Sequence, residues 1–204
     1  MLGRSHAIFG AAATAVALMD VGLFPQYRVG LFVVSCGIGT LAALLPDIDS
    51  PNATIKTTLG VGRQQSWREL QRWQRKNLFE VAFDAVQWFV ARILDIIHQF
   101  LPHRGPTHWG ITLLGLTGLV WLLGYWFGWP WYYAFAFGVG YTSHLLADGV
   151  TIAGVRFLAP FYRKTIRLLP RRWLVRTGSW QEFMMLTLFL ALLLAYYWFI
   201  IRLR

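Results

Sequence analysis

The chain has one cysteine, Cys36, set inside an apolar run. That excludes an intramolecular disulfide and any thiolate metal cluster, and it leaves the redox compartment unspecified. Acidic residues are few: 9 Asp and Glu stand against 19 Lys and Arg, for a formal charge of +10. No internal repeat or low-complexity segment is present, which excludes a repeat architecture. Nor is a soluble basic domain left once the apolar stretches are set aside, so the pI near 10.4 does not point to nucleic acid as a partner.

What the chain has in excess is apolar surface. Of 204 residues, 56% are hydrophobic and 17% aromatic, and the mean hydropathy is +0.47, well above an ordinary soluble domain. Crossing a bilayer takes roughly 20 residues. Five stretches approach that length: 7–24, 29–45, 109–127, 131–147 and 183–201. The fold class read from them is all-α, a polytopic membrane protein with about five transmembrane helices in one domain, 1–204. Pro25-Gln26-Tyr27-Arg28 and Gly128-Trp129-Pro130 are tight connections between antiparallel helices. Removal of the first stretch as a leader is disfavoured, because it would discard His6 and leave an even number of spans.

The long connections gather the positive charge. Lys56, Arg63, Arg68, Arg72, Arg75 and Lys76 crowd 50–108, and Arg156, Arg163, Lys164, Arg167, Arg171, Arg172 and Arg176 crowd 149–180. The positive-inside rule places both on the cytoplasmic side, with anionic lipid headgroups as expected partners. Within the first, 79–100 spaces Glu80, Asp84, Gln87, Asp95 and His98 along one stripe of an otherwise apolar helix. It reads as an amphipathic interfacial helix, with a sixth span as the alternative.

Histidines and carboxylates sit at the ends of these stretches, and spans alternating in direction bring all of those ends to one membrane face. Such groups are costly beside hydrocarbon unless a metal, a counter-charge or water holds them. His144 and Asp148, at i and i+4, share a helix face and suit either a metal or a hydrogen-bonded pair. Pro46 stops the second stretch, and Asp47 and Asp49 follow it. A helix C-terminus already carries partial negative charge, so three carboxylates at two such ends favour a divalent cation. His103 and His108 flank a Gly and Pro turn that lets both rings enter one pocket, with Thr107 as expected N-cap of the next helix. Arg104 suits lipid phosphate or a substrate phosphate. Alone, His6 reads as a wetted interfacial histidine and Glu182 as a favourable acid in a first helical turn.

Taken in order, His6 with Gly10, Leu-Pro-Asp-Ile-Asp at 45–49, His-Arg-Gly-Pro-Thr-His at 103–108, Ser-His-Leu-Leu-Ala-Asp at 143–148 and Gly-Ser-Trp-Gln-Glu at 178–182 resemble the YdjM-like family of bacterial inner-membrane proteins, described as membrane-bound metal-dependent hydrolases. Trp109 departs from the pattern, which leads one to expect serine there. The resemblance implies a multi-span helical fold in the bacterial inner (cytoplasmic) membrane and a divalent-metal site. The ligand pattern is similar to that of zinc-dependent phospholipase C and related nucleases. The expected ligands are His6, Asp47, Asp49, His103, His108, His144 and Asp148, with Arg104 and Glu182 as catalytic residues. That set exceeds what one tetrahedral zinc takes and suits two or three ions, Zn2+ or Mn2+. The expected activity is hydrolysis of a phosphoester in a lipid or lipid-linked substrate. The alternative is a non-catalytic metal-binding or anionic-lipid-binding membrane protein. Transport is disfavoured, since transporters place ion ligands near the midplane.

Overall fold

The computed structural model describes residues 2–49 and 105–203, with backbone alone at 49 and 200–203. Among the described residues the fold is all-helical: α1 (Gly3–Asp20), α2 (Val29–Ala42), α3 (Gly110–Phe127), α4 (Tyr132–Gly149) and α5 (Trp180–Leu203). Short 3-10 turns occupy Pro46–Asp49, Pro106–His108 and Arg171–Trp173. Each helix overlaps one of the five apolar stretches. The ends follow local chemistry: Gly128 takes φ 68°, a left-handed cap that closes α3, and Pro130 follows in the connection to α4. The amphipathic stretch expected at 79–100 lies outside the described residues.

Helices α1, α2 and α4 pack as a close trio. Along α1 the buried residues His6, Gly10, Thr14 and Leu18 recur every fourth position and so share one face. Small residues let the backbones approach. A Cβ added at Gly10 would collide with the Ala43 side chain, one at Gly39 with Thr14, and one at Gly140 with the Gly39 carbonyl. Where lipid tails replace water as solvent, this kind of van der Waals contact is what holds helices together. Helix α3 lies against α4, and α5 leans on α1 through Phe9 and Phe189, whose ring centroids are 4.6 Å apart.

By length and composition, Gly110–Phe127 and Trp180–Phe199 are apolar enough to cross a membrane. Five stretches were expected, and the difference has a physical cause. Helix α2 has 14 residues, and α1 and α4, though 18 residues each, spend part of their length on His6, Thr14, Asp20, Thr142, Ser143, His144 and Asp148. The residues that dilute their hydropathy are in large part those turned inward in the trio.

The segment 150–179 is tied down by backbone hydrogen bonds and forms a small lobe. Ile152 N–H donates to Val175 O at 3.1 Å and Val175 N–H to Val150 O at 3.0 Å, while Val155 and Ile166 exchange bonds of 3.0 and 2.7 Å. Gly110 N–H donates to Phe157 O at 2.7 Å, fastening the lobe to the start of α3. Val155 is buried with Ala42, Leu113, Tyr141 and Leu145 in the core below it.

Candidate metal centre

Five of the seven expected ligands come together where α1, α2 and α4 meet. His6 enters from the first turn of α1, Asp47 from the 3-10 turn after α2, His108 from the 3-10 turn before α3, and His144 and Asp148 from the last turns of α4. Two overlapping groups, His6 with His144 and Asp148, and Asp47 with His108 and His144, each hold their ligand atoms within 4.8 Å of one another. Of these five, His6, His108, His144 and Asp148 are at most 1% exposed, and Asp47, at 20%, is the most exposed. His103 and Arg104 lie outside the described residues, as does the side chain of Asp49, whose backbone closes the 3-10 turn.

The two carboxylates divide their oxygens between the histidines. Asp148 places Oδ1 3.3 Å from His6 Nε2, and Oδ2 3.6 Å from His108 Nε2 and 3.9 Å from His144 Nε2. Asp47 does the same in mirror order, with Oδ2 4.0 Å from His6 Nε2 and Oδ1 3.8 Å from both His108 and His144. Each carboxylate thus turns one oxygen toward His6 and the other toward His108 and His144. Zinc to nitrogen or oxygen distances of about 2.0–2.1 Å place the donors of a tetrahedral shell roughly 3.3 Å apart, at the short end of the separations found here.

The protonation geometry favours a cation in the middle. His144 Nδ1 lies 2.7 Å from the Ala43 carbonyl oxygen, which accepts only, so Nδ1 carries the proton and a neutral ring turns a lone pair outward at Nε2. That Nε2 faces His108 Nε2 at 3.3 Å. His6 stacks on His144 with centroids 3.8 Å apart, is fully buried, and makes no well-formed hydrogen bond through either ring nitrogen. Converging nitrogens and carboxylate oxygens, four of the five residues buried, make a donor set that fits a divalent metal.

Further residues position the donors. Tyr141 Oη donates to the Thr107 carbonyl, and Thr107 Oγ1 meets His108 Nδ1 at 3.1 Å, so Thr107 orients the histidine, while the N-cap position of α3 is held by Trp109. Tyr141 escaped the sequence reading; its signal is a tyrosine one turn before His144 on the same face, buried and therefore in need of a partner. The Ala43 carbonyl carries no side-chain signal at all. Glu182 stands apart from both groups. Its Oε1 accepts from Leu2 N–H at 2.8 Å and its Oε2 from Gly178 N–H at 2.7 Å, while His6 N–H donates to Leu2 O at 3.1 Å. The carboxylate therefore clamps the first turn of α1, which bears His6, to the first turn of α5.

The family model described as YdjM inner membrane protein matches residues 1–204, the whole chain. The chain belongs to the YdjM inner membrane protein family. No curated protein and no solved structure matches it. Membership in the YdjM family accounts for the wide lipid-type surface of α3 and α5, where Leu114, Trp126, Leu188 and Leu194 stand exposed.

Proposed function

We propose that this chain is a multi-pass hydrolase of the bacterial inner membrane whose divalent-metal site, at the cytoplasmic face, cleaves a phosphoester of a lipid or lipid-linked substrate. The observation that carries this reading is the convergence of His6, Asp47, His108, His144 and Asp148 from four separate elements, with the two carboxylates spanning both sides of the cluster. The spanning carboxylates support two ions, Zn2+ or Mn2+, with His103 and Asp49 as the remaining ligand candidates. A third ion would have to draw on the same donors. A bound divalent ion supplies Lewis acidity and brings the pKa of water toward neutrality.

The residues of the chain supply the rest. The Ala43 carbonyl holds the proton on His144 Nδ1 and keeps Nε2 available. Burial of His6, His144 and Asp148 excludes bulk water from behind the cluster, and Asp47, the most exposed donor, marks the side from which a substrate reaches it. Arg104 follows His103 directly and offers a fixed charge and a forked donor set to a phosphate. Glu182, with both oxygens on backbone amides, acts by holding His6 in place. In this reading all five helices cross in alternation with the basic segments inside, which brings the helix ends near His6, Asp47, His108, His144 and Glu182 to the same face.

The test is turnover of a panel of phospholipids and lipid-linked phosphates by metal-loaded protein in detergent. Wild type should release product and Asp148→Asn should not, while Arg104→Lys should lower kcat with metal content intact. The near-complete burial of four donors also favours a second reading, a non-catalytic metal protein, since structural sites are closed. Absence of turnover by fully loaded wild type across the panel would select that second reading.

A further inference from the structure

The lobe at 150–179 combines three properties that no packing role requires. It has no acidic residue between Gly149 and Gln181, yet carries Arg156, Arg163, Lys164, Arg167, Arg171, Arg172 and Arg176. All seven are exposed. Among them stand large aromatics that no described residue covers: Phe161 is 87% exposed and Trp173 65%, with Tyr162 beside Lys164, whose Nζ lies 5.8 Å from the Tyr162 ring centroid. These aromatics lie outside both helices that are apolar enough to span, so bilayer crossing does not account for them.

Like charges held together in a folded segment repel unless anions neutralise them, and bare aromatic rings in water are unfavourable. One environment relieves both: the interface of an anionic leaflet, where rings seat among headgroup and acyl carbons and Lys and Arg meet phosphate. The lobe is also placed for it. It begins directly after Gly149, the last residue of α4, and is bonded to the first residue of α3, so it lies at the helix ends that carry the metal centre.

We infer that the 150–179 lobe is a docking surface for anionic phospholipid headgroups, with Phe161 and Trp173 as its inserting rings and Arg163, Lys164, Arg171 and Arg172 as its phosphate contacts. This does not rest on the metal reading, and chelation of the protein should leave it unchanged.

The experiment uses the full chain with Cys36→Ser and a single Phe161→Cys carrying an environment-sensitive fluorophore. It is reconstituted in phosphatidylcholine vesicles with or without one third phosphatidylglycerol. The expected result is a blue shift and about a twofold gain in emission on adding phosphatidylglycerol, lost when Arg163, Lys164, Arg171 and Arg172 are all changed to Gln. A label at Tyr125→Cys, 85% exposed at the far end of α3, should report no difference between the vesicles and shows that the protein is folded in both. Three results would overturn the inference. They are a Phe161 label equally wet in both vesicles, a label equally buried in both and indifferent to the four substitutions, or a response to added RNA in neutral vesicles in place of the response to phosphatidylglycerol.

Discussion

At the scale of single residues, groups that would touch an ion are distinct from groups that aim them. Tyr141 is of the second kind, since its hydroxyl holds the turn from which His108 projects. Tyr141→Phe removes one hydrogen bond and leaves the ring packed among Ala42, Leu113 and Leu145. The substitution should weaken zinc binding by about tenfold, in the range for outer-shell partners. Competition against a chromophoric chelator measures it, and unchanged affinity would detach Tyr141 from the site. Glu182→Gln keeps the shape but replaces one acceptor oxygen with an NH2 group facing a backbone N–H. The loss of a charge-assisted bond should cost about 1.5–3 kcal/mol, seen as a lower Tm in detergent. Because the same bond anchors the turn bearing His6, metal affinity should fall with it, whereas Glu182→Asp should recover part of both.

At the scale of elements, what holds the site together is the approach of α1, α2 and α4 through small residues. Gly140→Ala sets a methyl against the Gly39 carbonyl and should destabilise by about 1–3 kcal/mol, as overpacking does, with metal loss in parallel. Gly37→Ala and Gly115→Ala meet nothing within 4 Å and should be neutral in the same melts. Equal behaviour of all three would mean that the close contacts carry no weight. This scale also shows what was legible beforehand. The five helices could be read from hydropathy alone, and the approximate place of His144 and Asp148 from their i, i+4 spacing at the end of one of them. Asp47 could be read because it follows the Pro46 that stops the second stretch, and His108 because it stands after the Gly-Pro turn that leads into the third. The reciprocal fit of Gly10, Thr14, Gly39 and Gly140 could not, because it depends on which faces meet in space. The same holds for the lobe, whose bridges join Thr151 to Val175 and Val155 to Ile166 through backbone groups that every residue possesses. Glu182 showed its helix-start position in the sequence, but its second partner, Leu2, is 180 residues away.

At the scale of the whole molecule, the family places the chain in the inner membrane, and the site requires the starts of α1 and α3 and the ends of α2 and α4 to share one face. In a Cys36→Ser background, single cysteines beside His6 and His144 should resist an impermeant thiol reagent in intact cells and react in inverted vesicles. Labelling from opposite sides would break the shared face. The central claim is that the buried histidines and carboxylates form one divalent-metal site, and elemental analysis of detergent-purified protein tests it most directly. Wild type should carry about two Zn2+ or Mn2+ per chain, the stoichiometry of bridged two-metal sites. His6→Ala, His144→Ala and Asp148→Ala should each lose metal, and His98→Ala and Asp20→Asn should keep it. Metal-free wild type that takes up no ion on dialysis against zinc or manganese, or ligand variants that retain the wild-type content, would contradict the account.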